Sequence, residues 1–138
     1  MKNEFVNYKQ SLALKSIDFD EPCIAAYFQP NISEMKYPQY FYSNTGLMMG
    51  NEACTAPLKQ QVFRWFRERY DLFGCIDLQV CTPSHWFIRI DKIEMNDYIY
   101  HSEDENVKYD TYEEAQTACI YKLIELAKSL PKTDKQIL

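Results

Sequence analysis

The sequence predicts an α+β fold: three helices and a mostly antiparallel sheet arranged in two layers, in the order helix, strands, helix, strands, helix. Three observations carry this reading. Ala56 to Val80 reads as one amphipathic helix running into one strand, Trp86 to Tyr100 continues as a strand meander, and Thr111 to Leu130 joins a capping pattern to a broad apolar stripe. A sheet with helices on one face is the economical way to bury these surfaces together.

The 138 residues amount to one domain, residues 1–131, with 132–138 as a flexible tail. Hydrophobic residues at 46% and only three glycines place the chain among folded globular proteins rather than disordered ones. No apolar run reaches the roughly 18 residues of a membrane span, and the first residues lead into no signal-peptide core, so a cytoplasmic protein is expected. Five cysteines, an odd number without tight repeated spacing, suggest reduced thiols used as small buried hydrophobes.

In chain order, Asn3 to Ser16 forms a short helix with Phe5, Leu12 and Tyr8 inward, ended by Asp18 in a left-handed conformation. Cys23 to Gln29, apolar on both parities, fits an interior strand. Tyr40-Phe41-Tyr42 gives a second strand before the turn Asn44-Thr45-Gly46, and Leu47 to Met49 is a pairing segment or loop. The central helix starts near Thr55 or Ala56, with Pro57 in its first turn and Leu58, Val62, Trp65, Phe66 and Tyr70 as its apolar stripe. Gly74 breaks helix from strand, and Ile76, Leu78 and Val80 then form one buried face.

Beyond the turn at Thr82 to His85, Trp86, Ile88 and Ile90 alternate, while Ile93 and Met95 fall out of phase. A bulge near Asp91-Lys92 accounts for the change. Tyr98-Ile99-Tyr100 adds a strand and His101 to Asn106 an acidic loop. Thr111-Tyr112-Glu113-Glu114 matches a capping box, opening a helix that carries Ala115, Cys119, Ile120, Leu123, Ile124 and Ala127 inward until Pro131.

Three stretches together resemble a known group. These are Leu14-Lys15 with Phe19-Asp20-Glu21-Pro22-Cys23, Ala56-Pro57 with Val62 to Glu68, and Thr111 to Ala115 with Leu123-Ile124-Glu125. The combination resembles small uncharacterised proteins encoded in prophages and mobile elements of Bacteroides-type gut bacteria, over nearly the whole chain. Similar sequences often carry Gly where this one has Asp18. The resemblance implies a phage or prophage accessory protein and brings no catalytic residues with it.

The residues themselves show little chemistry. Cys75 and Cys81 share a strand face too far apart to chelate one ion, which leaves Cys81 with His85 as the one close pair for a metal or a thiol nucleophile. There is no P-loop, dinucleotide fingerprint, H-E-x-x-H or nucleophile elbow, so no cofactor, metal or catalytic residue is expected. Glu103-Asp104-Glu105 lacks the oxygen-ligand spacing of a calcium loop.

Charge is more informative. The net charge is −5, yet nine acids against Lys92 and Lys108 give −7 between Asp91 and Glu114 alone. This disfavours general nucleic-acid binding and favours a basic partner. The chain has eleven tyrosines, and tyrosine joins an apolar ring to a polar tip, as interfaces use. The expectation is therefore a non-enzymatic protein-binding module for a host or phage protein, acting through Tyr40, Tyr42, Tyr98, Tyr100, Glu103 and Asp104. The alternative is a nucleic-acid-associated regulator using Lys59, Arg64 and Arg67 on the central helix. Cysteine- or carboxylate-dependent catalysis is the remaining option.

Overall fold

The structure is a computed structural model that describes residues 2–28, 32–34, 41–47, 53–80 and 82–130. It is an α+β protein whose contacts divide it into two compact units, Met1–Val62 and Phe63–Leu138, where the sequence suggested one domain over 1–131. The strands form two three-stranded antiparallel sheets rather than one. The tail at 132–138 lies outside the described residues.

In the first unit, α1 spans Tyr8–Ser16 and starts at Asn7. The Asn7 carbonyl accepts from the Gln10 amide at 2.7 Å, and the Gln10 side chain accepts in return from the Asn7 amide at 3.2 Å, a complete capping box. Phe5 is buried as expected, but it pairs with Leu58 in an isolated bridge outside the helix. The helix buries Gln10, Ser11 and Leu14 fully, while Leu12 and Tyr8 are half-buried and packed inward against the cluster of Phe5, Ala25, Tyr27, Cys54 and Ala56. Asp18 does take the left-handed conformation, with φ 68°.

The first sheet has the order β2-β1-β3, with β1 Ala25–Tyr27 in the middle, β2 Ile32–Glu34 and β3 Cys54–Thr55. Every residue of β1 is buried, as an interior strand requires. Thr55 and Ala56 are held to this sheet by the Ala26↔Thr55 pairing and by Ala56 N–H donating to Ala25 O at 2.9 Å. Consequently α2 starts only at Lys59 and runs to Tyr70, so Pro57 precedes the helix instead of opening it. Tyr42 makes only an isolated bridge with Cys23, and Leu47 pairs with nothing among the described residues.

The second unit contains the rest of α2, β4 Leu72–Gln79, β5 His85–Lys92, β6 Asp97–His101 and α3 Tyr112–Ala127. The sheet order is β4-β5-β6, and α3 lies on β4 and β5. Gly74 is inside β4, so it does not separate helix from strand; Asp71, with φ 59°, makes that break. A Cβ on Gly74 would sit 2.7 Å from the Phe63 ring and 3.0 Å from Cys119 Sγ, which places both helices over the same face. Trp65, Phe66 and Tyr70 are buried and pack edge to face or tilted on one another. The expected apolar face fades toward the end of β4, with Leu78 46% exposed and Val80, just beyond the strand, 82% exposed.

At the start of α3, Thr111 Oγ1 accepts from the Glu114 amide at 3.1 Å. The returning Glu114 carboxylate takes the Asp110 amide at 3.3 Å, one residue before the expected Thr111 amide. Ala115, Cys119, Ile120, Leu123, Ile124 and Ala127 form the buried stripe.

Candidate interaction surface

The alternation of β-strands sorts the second sheet into two faces. Pairing of Gly74 with Ile90, Ile76 with Ile88 and Ile90 with Tyr100 puts these residues on the α3 side. Phe73, Cys75, Asp77, Phe87, Arg89 and Asp91 belong to the opposite face, together with Tyr98 and His101. The register between β5 and β6 shifts between Ile90 and Asp91, since Tyr100 pairs with Ile90 but Tyr98 with Asp91. Ile99 is therefore the extra residue of a bulge, on β6 and not on β5 as the sequence pattern suggested. Ile93 and Met95 change phase because β5 ends at Lys92 and a 3-10 turn, Ile93–Met95, follows.

The bulge separates two residues expected to act together. Tyr100 faces α3, where Lys122 Nζ lies 4.5 Å from its ring centre and its hydroxyl bonds Glu105 Oε2 at 3.1 Å. Burial first, then that carboxylate, push its phenol up to about 12. Tyr98 faces the other way and remains 42% exposed. The carboxylate of Asp104 raises the Tyr98 phenol above the ordinary value. Tyr98 thus lies near Asp104 and Glu103, while Tyr100 packs on the helix side. Tyr42 is in the first unit, half-buried with its ring on Phe28 at 5.8 Å, and Tyr40 lies outside the described residues.

The acidic segment is held as a 3-10 turn, Ser102–Glu105, closed by Asn106 at φ 59°. Ser102 is fully buried and its hydroxyl accepts from the Ile88 amide at 3.0 Å, anchoring the turn to β5. Trp86 and Tyr109 exchange backbone bonds of 2.8 and 2.9 Å just beyond it. Anchored so, Glu103, Asp104 and Glu105 are left exposed. Glu94 and Asp97 are exposed as well, beside Ile93 and Met95 at 57% and 61% exposure. The β5–β6 hairpin also holds a cavity of about 320 Å³ lined by Arg89, Asp91, Lys92, Ile93, Asn96, Asp97 and Tyr98.

Arg89 is paired on both sides. Its guanidinium is 3.6 Å from Asp77 and 3.1 Å from Asp91, and these two carboxylates raise it further. It therefore offers little to an anionic ligand. The β6 edge is also guarded, because Asp97 Oδ1 takes the Tyr98 amide at 2.7 Å. An acid occupying an edge amide discourages strand addition, so side chains, not backbone, are what this surface presents.

The other sequence-derived candidates separate. Lys59 is only 8% exposed, which removes it from the basic face, whereas Arg64 and Arg67 are exposed. Burial pushes the thiols of Cys23 and Cys119 to about 12 and that of Cys54 to about 11. Cys75 is raised by burial and then by Asp91. Such thiols hold little thiolate at neutral pH. Cys81 lies outside the described residues, and His85 Nδ1 is buried without a hydrogen-bond partner among them. No group of three or more His, Cys, Asp or Glu among the described residues is arranged to hold a metal ion. None of their helices is long and apolar enough to cross a membrane.

No family model, curated protein or solved structure matches the chain.

Proposed function

We propose that this chain is a non-enzymatic protein-binding module whose β5–β6 hairpin and following acidic turn receive a basic, partly apolar segment of a partner polypeptide. The observation that carries this reading is a cavity lined by exposed Ile93, Asp97 and Tyr98, with exposed Met95 and the exposed acids Glu94, Glu103 and Asp104 on the same hairpin and the turn that follows it. Apolar and aromatic side chains supply contact area, and the surrounding acids steer and select a basic segment. The prophage resemblance adds that the partner is a phage or host protein. The raised thiols argue against cysteine catalysis at neutral pH.

The test uses a short labelled peptide of alternating Lys and Leu, with a Glu and Leu peptide as control. Wild type binds the first, more weakly as salt rises, and ignores the second. Glu94→Lys with Glu103→Lys weakens binding at least about tenfold, equivalent to about 1.4 kcal/mol. Both residues are exposed, and a circular-dichroism spectrum unchanged from wild type shows that the fold is retained. Equal binding of both peptides, or indifference to the charge reversal, overturns the reading. A low-salt shift of duplex DNA abolished by Arg64→Ala with Arg67→Ala supports the nucleic-acid alternative instead.

A further inference from the structure

His101 lies at the start of the acidic turn with one ring nitrogen in a hydrogen bond and the other turned toward a carboxylate. Nδ1 accepts the Glu103 amide at 3.1 Å and so caps the turn that carries Glu103, Asp104 and Glu105. An accepting Nδ1 has no proton, which puts the ring proton of the neutral imidazole on Nε2. Nε2 faces Asp77 Oδ2 at 3.9 Å, and the side chain is only 16% exposed. The ring is fixed by aromatic neighbours on two strands, with Tyr98 at 5.5 Å and Phe87 at 6.2 Å.

The charged and titratable groups facing it are Asp77 and Cys75 from β4, Arg89 and Asp91 from β5, Tyr98 from β6, and Glu103 and Asp104 from the turn. Arg89 is neutralised by Asp77 and Asp91.

We infer that His101 is a pH gate for the acidic surface: a proton taken up from solvent at Nδ1 replaces the accepting lone pair with a donor, expels the Glu103 amide, and unlatches the acidic turn. The imidazolium keeps its Nε2–H toward Asp77, so the ring stays seated while the cap is lost. Imidazole is the side chain whose charge changes between about pH 5 and 8. The added positive charge also offsets the acids above it. Both effects weaken binding of a basic segment as pH falls. This rests on the acidic surface being the binding site, and His101 acts as a positioning residue outside the contact itself.

Two readouts separate the gate from the binding reading. The first, without any ligand, follows the His101 ring nitrogens and the Glu103 amide proton by NMR from pH 8 to 5.5. The gate requires an Nε2–H tautomer at pH 8 and a Glu103 amide that moves in step with His101 protonation. A Glu103 amide indifferent to that titration overturns the gate. The second uses the Lys and Leu peptide with its amino terminus blocked by the label, so that its own charge is constant over this range. Wild type weakens at least about fivefold between pH 8 and 5.5. His101→Asn keeps an acceptor near the Nδ1 position and cannot titrate; it binds at pH 8 within about twofold of wild type and loses the pH step. A pH step that persists in His101→Asn overturns the gate. If the peptide fails to bind at every pH while the Glu103 amide still follows His101, the binding reading falls and the gate on the turn stands.

Discussion

Gly74 shows how one missing side chain positions two helices on a sheet. Its hydrogen leaves room for the Phe63 ring and Cys119 Sγ, and a methyl group would meet the ring at 2.7 Å. Gly74→Ala is expected to destabilise by about 1–3 kcal/mol through overpacking, read as a shift in the urea midpoint at constant slope. A change under about 0.5 kcal/mol would mean that the half-buried Phe63 ring swings aside. The sequence marks Gly74 as a breaker, since glycine commonly ends helices. The residue that actually turns the chain is Asp71 at φ 59°, a role Asp18 also fills after α1. Asp18 was legible because the apolar pattern stops before it. Asp71 was hidden by the nearby glycine, the stronger local signal.

Among elements, legibility followed length and locality. The stripes of α2 and α3 span several turns, and their buried positions match the spacing closely. β5 carries Trp86, Ile88 and Ile90 on one face, although Phe87 on the other face is buried as well. By contrast, β2 and β3 are three and two residues long, too short for period-two alternation, and they exist through pairing with β1. The β6 bulge was equally unreadable: Tyr98, Ile99 and Tyr100 are all large and apolar, so nothing in the order of residues reveals which one is extra. For this reason the candidate site was half legible. Tyr98, Glu103 and Asp104 come together, but Tyr100 is turned to the helix side. The capping of α3 was readable from Thr111 and Glu114, and it gives a direct test. Thr111→Ala removes the acceptor of the Glu114 amide and is expected to cost about 0.5–2 kcal/mol. Thr111→Asn or Thr111→Ser restores most of it. Equal loss in all three variants would assign the effect to side-chain packing instead of the cap.

At the scale of the whole molecule, buried thiols tie both units to pH in the same direction. Cys23 and Cys54 are buried in the first unit and Cys119 in the second. Desolvation raises them from 9.0 to about 12, about 11 and about 12 respectively. Below pH 9 both the folded and the unfolded chain keep these protons, so their stabilisation is fully present and independent of pH. Above it the unfolded chain releases protons that the fold retains, and stability falls until the folded thiols themselves ionise near 11 to 12. Each thiol removes about 1.4 kcal/mol per pH unit across that window. Tyr100, raised from 10.0 to about 12, adds in the same sense from pH 10 upward. Urea unfolding should therefore give a flat stability from pH 7.5 to 8.5 and a steep decline from 9 to 10.5. Cys119→Ala lowers the starting stability through the cavity it leaves, yet its decline with pH should be shallower than wild type by one thiol's share. An unchanged slope would show that Cys119 ionises as readily in the fold as in the unfolded chain, contrary to its burial on the face of α3 that meets Gly74 of β4.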